Sequence, residues 1–342
     1  MSAPKTAVIA MAYGSPARSE EIPDYFADIR GGRPASPAAV AELEERYRRI
    51  GGHSPLNEVT ESQRAALERE LGFPVYVGMK HWAPRISDAA ADAIANGAQR
   101  IVGLVLAPHY ARMSTGGYRA RLEQALNGST ELVFIESWHD HEPFIEVLAD
   151  RVRGALASRF WDAAHGTGPE GTVLGARPRR APGRPAASGG GGAGLHPAET
   201  TAGQEREDAH VVFTAHSLPE RILAEGDPYK EQLLETSGLV AARAGVTDWS
   251  FAFQSESPTG EPWLGPDLLE ELDRIRATGV RNVLVAPIGF VSDHLEILWD
   301  IDVEACERAA ALGLELNRIA SLNDDPAFIR ALADLVRRAV AA

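Results

Sequence analysis

Cysteine is almost missing from this chain: Cys306 is the only one in 342 residues. A single thiol excludes an internal disulfide and any iron–sulfur cluster held by several cysteines of one chain. Its place inside a helical stretch gives it the part of a small buried apolar residue. No run of Lys and Arg occurs, and the net charge is −14. That balance argues against wrapping nucleic acid or lying on an anionic membrane surface. No apolar run approaches the length of a membrane-spanning helix, and the short apolar run in Met1 to Ala12 does not read as a signal peptide. The cytoplasm is the expected compartment. Glycine-rich phosphate loops are also missing. Neither Gly-x-x-x-x-Gly-Lys-Ser/Thr nor Gly-x-Gly-x-x-Gly follows the first strand, which disfavours nucleotide cofactors. Gly-x-Ser-x-Gly is absent too, which removes the α/β-hydrolase option.

What is present suits two domains of ordinary size, with 44% hydrophobic residues to build their cores. Short apolar runs read as strands at 6–12, 74–78, 100–107 and 131–135, and again at 210–215, 248–253, 283–288 and 314–319. Helical patterns separate them. The run Arg100–Ala107 is near-continuously apolar, as a strand buried on both faces requires. The halves also repeat. Val8-Ile-Ala-Met-Ala-Tyr-Gly-Ser-Pro16 echoes Val212-Phe-Thr-Ala-His-Ser-Leu-Pro219, and Asn96 to Pro108 echoes Thr278 to Pro287. Strands alternating with helices, twice over, predict two similar doubly wound parallel-sheet (Rossmann-like) α/β domains facing across a cleft. Between them, Asp162 to Asp208 is Gly, Pro, Ala and Arg with almost no large apolar residue, so it reads as a disordered insertion. The expected division is 1–160, the insertion 161–209, 210–320, and a closing helix in 321–342.

Polar residues gather where strands end: Tyr13, Lys80-His81, His109-Tyr110, His216, Gln254-Ser255, and Asp293 with Glu296. Open α/β sheets bind ligands outside the carboxyl ends of their strands. After the strand at 283–288 comes a helix expected to start near Ser292 or Asp293. There Glu296, Asp300 and Glu304 are successive i, i+4 steps and form one acidic stripe between apolar walls. Such a stripe needs a cation or water to be tolerable. Two readings stand: Asp293 and Glu296 form a capping box and nothing more, or the stripe serves a site. His216 likewise is either a strand-end histidine bonded to backbone or, with Glu296, a ligand for a borderline divalent metal. His109 reads as structural.

The ordered motifs carry a resemblance. Met11-Ala-Tyr-Gly-Ser-Pro16, Arg46-Tyr47 with Gly51-Gly-His-Ser-Pro55, Lys80-His81, Ala215-His-Ser-Leu-Pro219, Gln254-Ser255 with Trp263-Leu-Gly-Pro266, and Gly289-Phe-Val-Ser-Asp-His-Leu-Glu296 resemble the ferrochelatase family, most of all its bacterial coproporphyrin branch. The resemblance covers nearly the whole chain except 162–208. It implies insertion of Fe²⁺, as substrate, into coproporphyrin III to give coprohaem, with no further cofactor. It implies that His216 and Glu296 bind the incoming iron, that His216 also takes a proton, and that Asp300 and Glu304 guide metal in or carry protons out. Tyr13 would sit on the opposite face, axial to the product iron. Arg30, Arg46, Tyr47, Ser54 and Tyr118 would meet the macrocycle or its propionates, and Lys80 and His81 would lie at the cleft entrance. Contact with other haem-pathway enzymes would be transient. The alternatives are a cobalt or nickel chelatase on another tetrapyrrole, and a haem carrier without turnover.

Overall fold

A computed structural model describes residues 4–128, 130–165, 209–257 and 260–342. The first half runs β1 (Thr6–Ala12), α1 (Ile22–Ile29), α2 (Pro37–Arg49), α3 (Leu56–Leu71), β2 (Val75–Met79), α4 (Ile86–Ala95), β3 (Arg100–Val105), α5 (Thr115–Leu126), β4 (Glu131–Ile135) and α6 (Glu142–His165). The second runs β5 (Ala209–His216), α7 (Arg221–Ala224), α8 (Tyr229–Ala244), β6 (Trp249–Gln254), α9 (Leu268–Ala277) and β7 (Asn282–Ala286). A π-helix (Ile297–Ala305), α10 (Cys306–Leu312), β8 (Glu315–Arg318) and α11 (Pro326–Ala341) complete it. The segment expected to be disordered lies outside the described residues, except that α6 continues to His165.

Both sheets are parallel and wound alike, in the orders β2-β1-β3-β4 and β6-β5-β7-β8. Each order reverses between its first strand and the third, and at that switch the connections leaving neighbouring strands run to opposite sides, which leaves a crevice outside their carboxyl ends. The central strands are buried along nearly their whole length (Val8, Ile9 and Met11; Val211, Val212 and Phe213), which their unbroken apolar sequence requires. One apolar core runs through both halves, from Val8, Leu67 and Trp138 to Phe213, Leu284 and Leu332. Helix α11 returns to the first half, packing on α3 and α6. Asp325 caps it, accepting from the backbone N–H groups of Ala327 and Phe328, with Pro326 at the first helical position. No described helix is long and apolar enough to cross a membrane.

Candidate functional site

The site is assembled by strand ends. Strand β5 ends on His216, whose register partner on β6 is Gln254, and Ser217 N–H donates to the Gln254 carbonyl at 2.7 Å. After β7 the chain turns at Gly289, whose N–H donates to Thr214 O at 3.2 Å. A β-carbon on Gly289 would stand 2.4 Å from Cβ of Ala215, so only glycine lets the following loop lie against the end of β5. That loop delivers His294, Glu296 and the π-helix beside His216.

The π-helix departs from the α-helix expected here. Regular helix begins only at Leu295, and the Cys306 N–H reaches the Ile301 carbonyl five residues back. Such wide turns recur at functional sites, and the spacing of four still keeps Glu296, Asp300 and Glu304 close to one line. The capping-box reading fails on geometry. The Asp293 carboxylate accepts instead from Ser321 Oγ (2.7 Å), Arg318 Nη2 (3.0 Å) and Asn323 Nδ2 (3.0 Å), which anchors the loop to the segment before α11.

His216 is a strand-end histidine bonded to backbone, as the first of its two readings expects. Its Nδ1 lies 2.5 Å from the Ser217 carbonyl; a carbonyl only accepts, so Nδ1 carries the hydrogen and Nε2 is left with its lone pair. Burial pushes the imidazole's pKa down, and the Glu296 carboxylate holds it partly up. The ring is thereby kept neutral, with Nε2 unprotonated. Glu296 Oε2 stands 3.2 Å from His294 Nε2, an ion pair when that ring is protonated. Asp300, 8% exposed, accepts from Ser255 Oγ and, at 3.4 Å, from Gln254 Nε2. Burial, with Glu296 and Glu304 adding to it, raises its carboxyl to about 7, against the pull of Ser255. Among the described residues no three His, Cys, Asp or Glu side chains converge into a ready-made metal cage.

The facing wall belongs to the first half. Tyr13 follows β1 and is 37% exposed. Burial, and after it the Glu296 carboxylate, push its phenol far above the usual range, and Glu296 acts in the same sense on the Tyr47 phenol. The Glu296 carboxylate thus lies within electrostatic reach of both rings. Three of the expected contacts line the wall from beneath. Tyr47 is buried with its hydroxyl 3.0 Å from Ser15 Oγ, Ser54 is buried and accepts weakly from Leu56 N–H at 3.4 Å, and Tyr118 is buried under Lys80. Arg30 is exposed over the Phe26 ring. Arg46 bonds Glu42 and lies 5.6 Å from the centre of the Trp299 ring.

Lys80 and His81 do not stand at an open entrance; both are buried beside Tyr13. The backbone explains it: Lys80 and His81 N–H donate to the Ala12 and Tyr13 carbonyls, which extends the β1–β2 pairing. The Lys80 ammonium sits 4.9 Å from the centre of the Tyr118 ring and 3.2 Å from Ser114 O. Burial, then Arg121, lowers its pKa to about 8. The His81 ring packs against Tyr13, centre to centre 4.6 Å and inclined by 48°, and bonds Asp28 at 3.0 Å. Burial lowers it to about 4.

Sequence reasoning missed the ties between the halves. Gln63 on α3 donates to Ser292 Oγ (2.9 Å) and Asn323 O (2.8 Å). Thr60, Gln63 and Leu67 share the buried face of that helix, and two polar residues at core positions were the available signal. Arg49 bonds Glu307 at 2.5 Å and covers Trp299. On the far side Tyr110 N–H donates to Gln232, and Arg112 N–H to Asp227. A groove of about 780 Å³ near β4, lined by Arg119, Glu123, Phe134 and Glu136, holds none of this machinery.

Two parallel four-stranded α/β halves wound alike define the fold, one shared with solved chelatase structures. SirB from Bacillus subtilis with Fe³⁺ shares the fold at 10% identity and a TM-score of 0.54, covering 98% of this chain and 96% of that one. The ferrochelatase family profile matches residues 5–166 and 196–340. The ferrochelatase of Herpetosiphon aurantiacus is 41% identical over 97% of this chain and 98% of its own. The coproporphyrin III ferrochelatase of Bacillus subtilis is 36% identical over 98% of each. This chain belongs to the ferrochelatase family, enzymes that insert a metal ion into a porphyrin.

Proposed function

We propose that the porphyrin is coproporphyrin III and that Fe²⁺ enters it from the His216–Glu296 side. Insertion requires stripping water from the ion, removing two pyrrole protons and exposing the ring nitrogens. The observation that carries the reading is the His216 ring, fixed by Ser217 so that a neutral Nε2 lone pair remains beside Glu296. Two protein donors rather than a closed set leave coordination positions for the porphyrin nitrogens, as a transferring site needs. As iron moves from these two donors into the ring, the freed Nε2 and the freed Glu296 carboxylate each accept one of the two departing pyrrole protons. Asp300 and Glu304 continue the acidic line along which iron arrives and protons leave. Tyr13 approaches the opposite face of the macrocycle, axial to the product iron.

Coproporphyrin carries a propionate on every pyrrole, so it asks for cations around the cleft. Arg30 and Arg46 stand exposed or half-exposed there to take propionates, with Lys80 behind them in the wall and His81, Tyr47, Ser54 and Tyr118 shaping the ring's bed. The motif Met-Ala-Tyr-Gly-Ser-Pro around Tyr13 and the coproporphyrin-named relatives support the same choice. We place the enzyme in the cytoplasm, meeting haem-pathway partners only transiently.

Anaerobic absorbance assays with Fe²⁺ and either coproporphyrin III or protoporphyrin IX test the substrate. Conversion of coproporphyrin III with the higher kcat/KM is expected; a preference for protoporphyrin IX contradicts it. Indifference to iron with turnover of cobalt or nickel indicates the chelatase alternative, and binding without conversion a carrier.

A further inference from the structure

Gln254 ends β6 and Ser255 follows it, a pair within a recognisable motif, yet neither has a part in the chemistry so far. Their geometry is unusual. Ser255 has φ +65°, the left-handed region that side chains other than asparagine rarely adopt; the other described non-glycine residues with positive φ are Asn127 and Asn323. A glycine would suit the turn better. What the serine supplies is its hydroxyl, which donates to Asp300 Oδ2. Gln254 Nε2 is shared between that oxygen (3.4 Å) and the Glu296 carbonyl (3.2 Å), so its amide spans one turn of the π-helix. This orientation leaves Gln254 Oε1 buried without a partner. An orphaned acceptor is unfavourable, and it is tolerated here because turning the amide over would aim oxygen at oxygen.

Resting on the proposed role of Asp300 in iron delivery, we propose that Ser255 is a positioning residue for it: its hydroxyl, with the Gln254 amide, holds Oδ2 and turns Oδ1 toward the arriving iron. The linkage runs further, because Gln254 is the register partner of His216. The end of β6 therefore sets the acidic stripe against the iron-binding histidine.

The test uses Ser255→Gly, Asp300→Ala and the double variant in the intact enzyme, with Fe²⁺ varied against saturating porphyrin. Glycine relaxes the backbone, so S255G should melt no lower than the wild type. Its KM for Fe²⁺ should rise roughly tenfold, the order expected for losing a hydrogen bond to a carboxylate, with kcat changed by less than about twofold and porphyrin binding unaltered. With Asp300→Ala in place, adding S255G should raise KM no further. A wild-type KM in S255G, an undiminished effect in the double variant, or a joint fall of kcat, porphyrin binding and melting temperature would overturn the proposal. If Asp300→Ala itself leaves KM unchanged, the delivery reading falls and this inference with it. If Asp300→Ala raises KM and S255G does not, only the inference falls.

Discussion

Gly289 lies directly against Ala215: a β-carbon on the glycine would stand 2.4 Å from that of the alanine and 2.9 Å from its Cα. This contact lets the loop after β7 press on β5, and it sets Glu296 beside His216. Gly289→Ala should force the two segments apart. Destabilisation of about 2 kcal/mol, the scale of overpacking, is expected in denaturant titration. Iron insertion should fall more steeply than porphyrin binding, because His216 and Glu296 separate while the first half stays in place. Unchanged stability with full activity would show that the loop has slack.

Asp300→Ala separates delivery from insertion. It removes a stripe carboxylate held by Ser255 and Gln254 while leaving His216 and Glu296 in place. The expected outcome is a raised KM for Fe²⁺ with kcat largely spared, read from initial rates across an iron series. An equal loss in kcat would assign Asp300 to the chemical step.

Tyr13→Phe keeps the ring packed against His81 and removes one hydroxyl. If that hydroxyl meets iron only after insertion, substrate affinity should hold. The absorbance bands of the bound product and its release rate should change instead. A large loss of coproporphyrin III affinity would place the hydroxyl in substrate binding.

Acid stability should depend on His109, buried between the halves. Thr236 gives its hydroxyl hydrogen to the His139 carbonyl, so His109 Nε2–H donates to Thr236 Oγ1 at 2.9 Å. Its Nδ1 is bare, buried and unpartnered, and burial lowers the pKa to about 3 from an unfolded value of 6.5. Well above pH 6.5 the ring is neutral in both states and sets no slope. Below that, the unfolded chain takes up a proton that the folded protein refuses, so stability drains as pH falls toward 3. His109→Gln, which offers an amide donor to Thr236, should flatten the decline of melting temperature over that window. Parallel declines in variant and wild type would locate the acid sensitivity elsewhere.

The duplicated sheets were legible because burial on both faces leaves an unmistakable apolar run, as in Arg100–Val105, and because the segments repeat. The strand-end residues were legible through topology alone. The π-helix was not: a spacing of four suits a stripe on either kind of turn, and the five-residue hydrogen bond leaves no mark in composition. The burial of Lys80 and His81 depends on backbone bonds to Ala12 and Tyr13 that only the β1–β2 register supplies. The Asp293 anchor draws on Arg318, Ser321 and Asn323, remote in sequence, so the local capping pattern pointed the wrong way. Helix α1 was unforeseen; Ile22 and Tyr25 are its only buried residues, too short a pattern to stand out.

The central claim is that iron reaches the porphyrin through His216. It is tested most directly by mixing Fe²⁺ anaerobically with preformed complexes of coproporphyrin III and either wild type or His216→Ala, and following the free-base absorbance bands. The substitution removes a donor and proton acceptor but little contact area. Both proteins should therefore bind the porphyrin with similar affinity and spectrum, and only the wild type should convert it. Conversion by His216→Ala at the wild-type rate, or its failure to bind the porphyrin, would contradict the account.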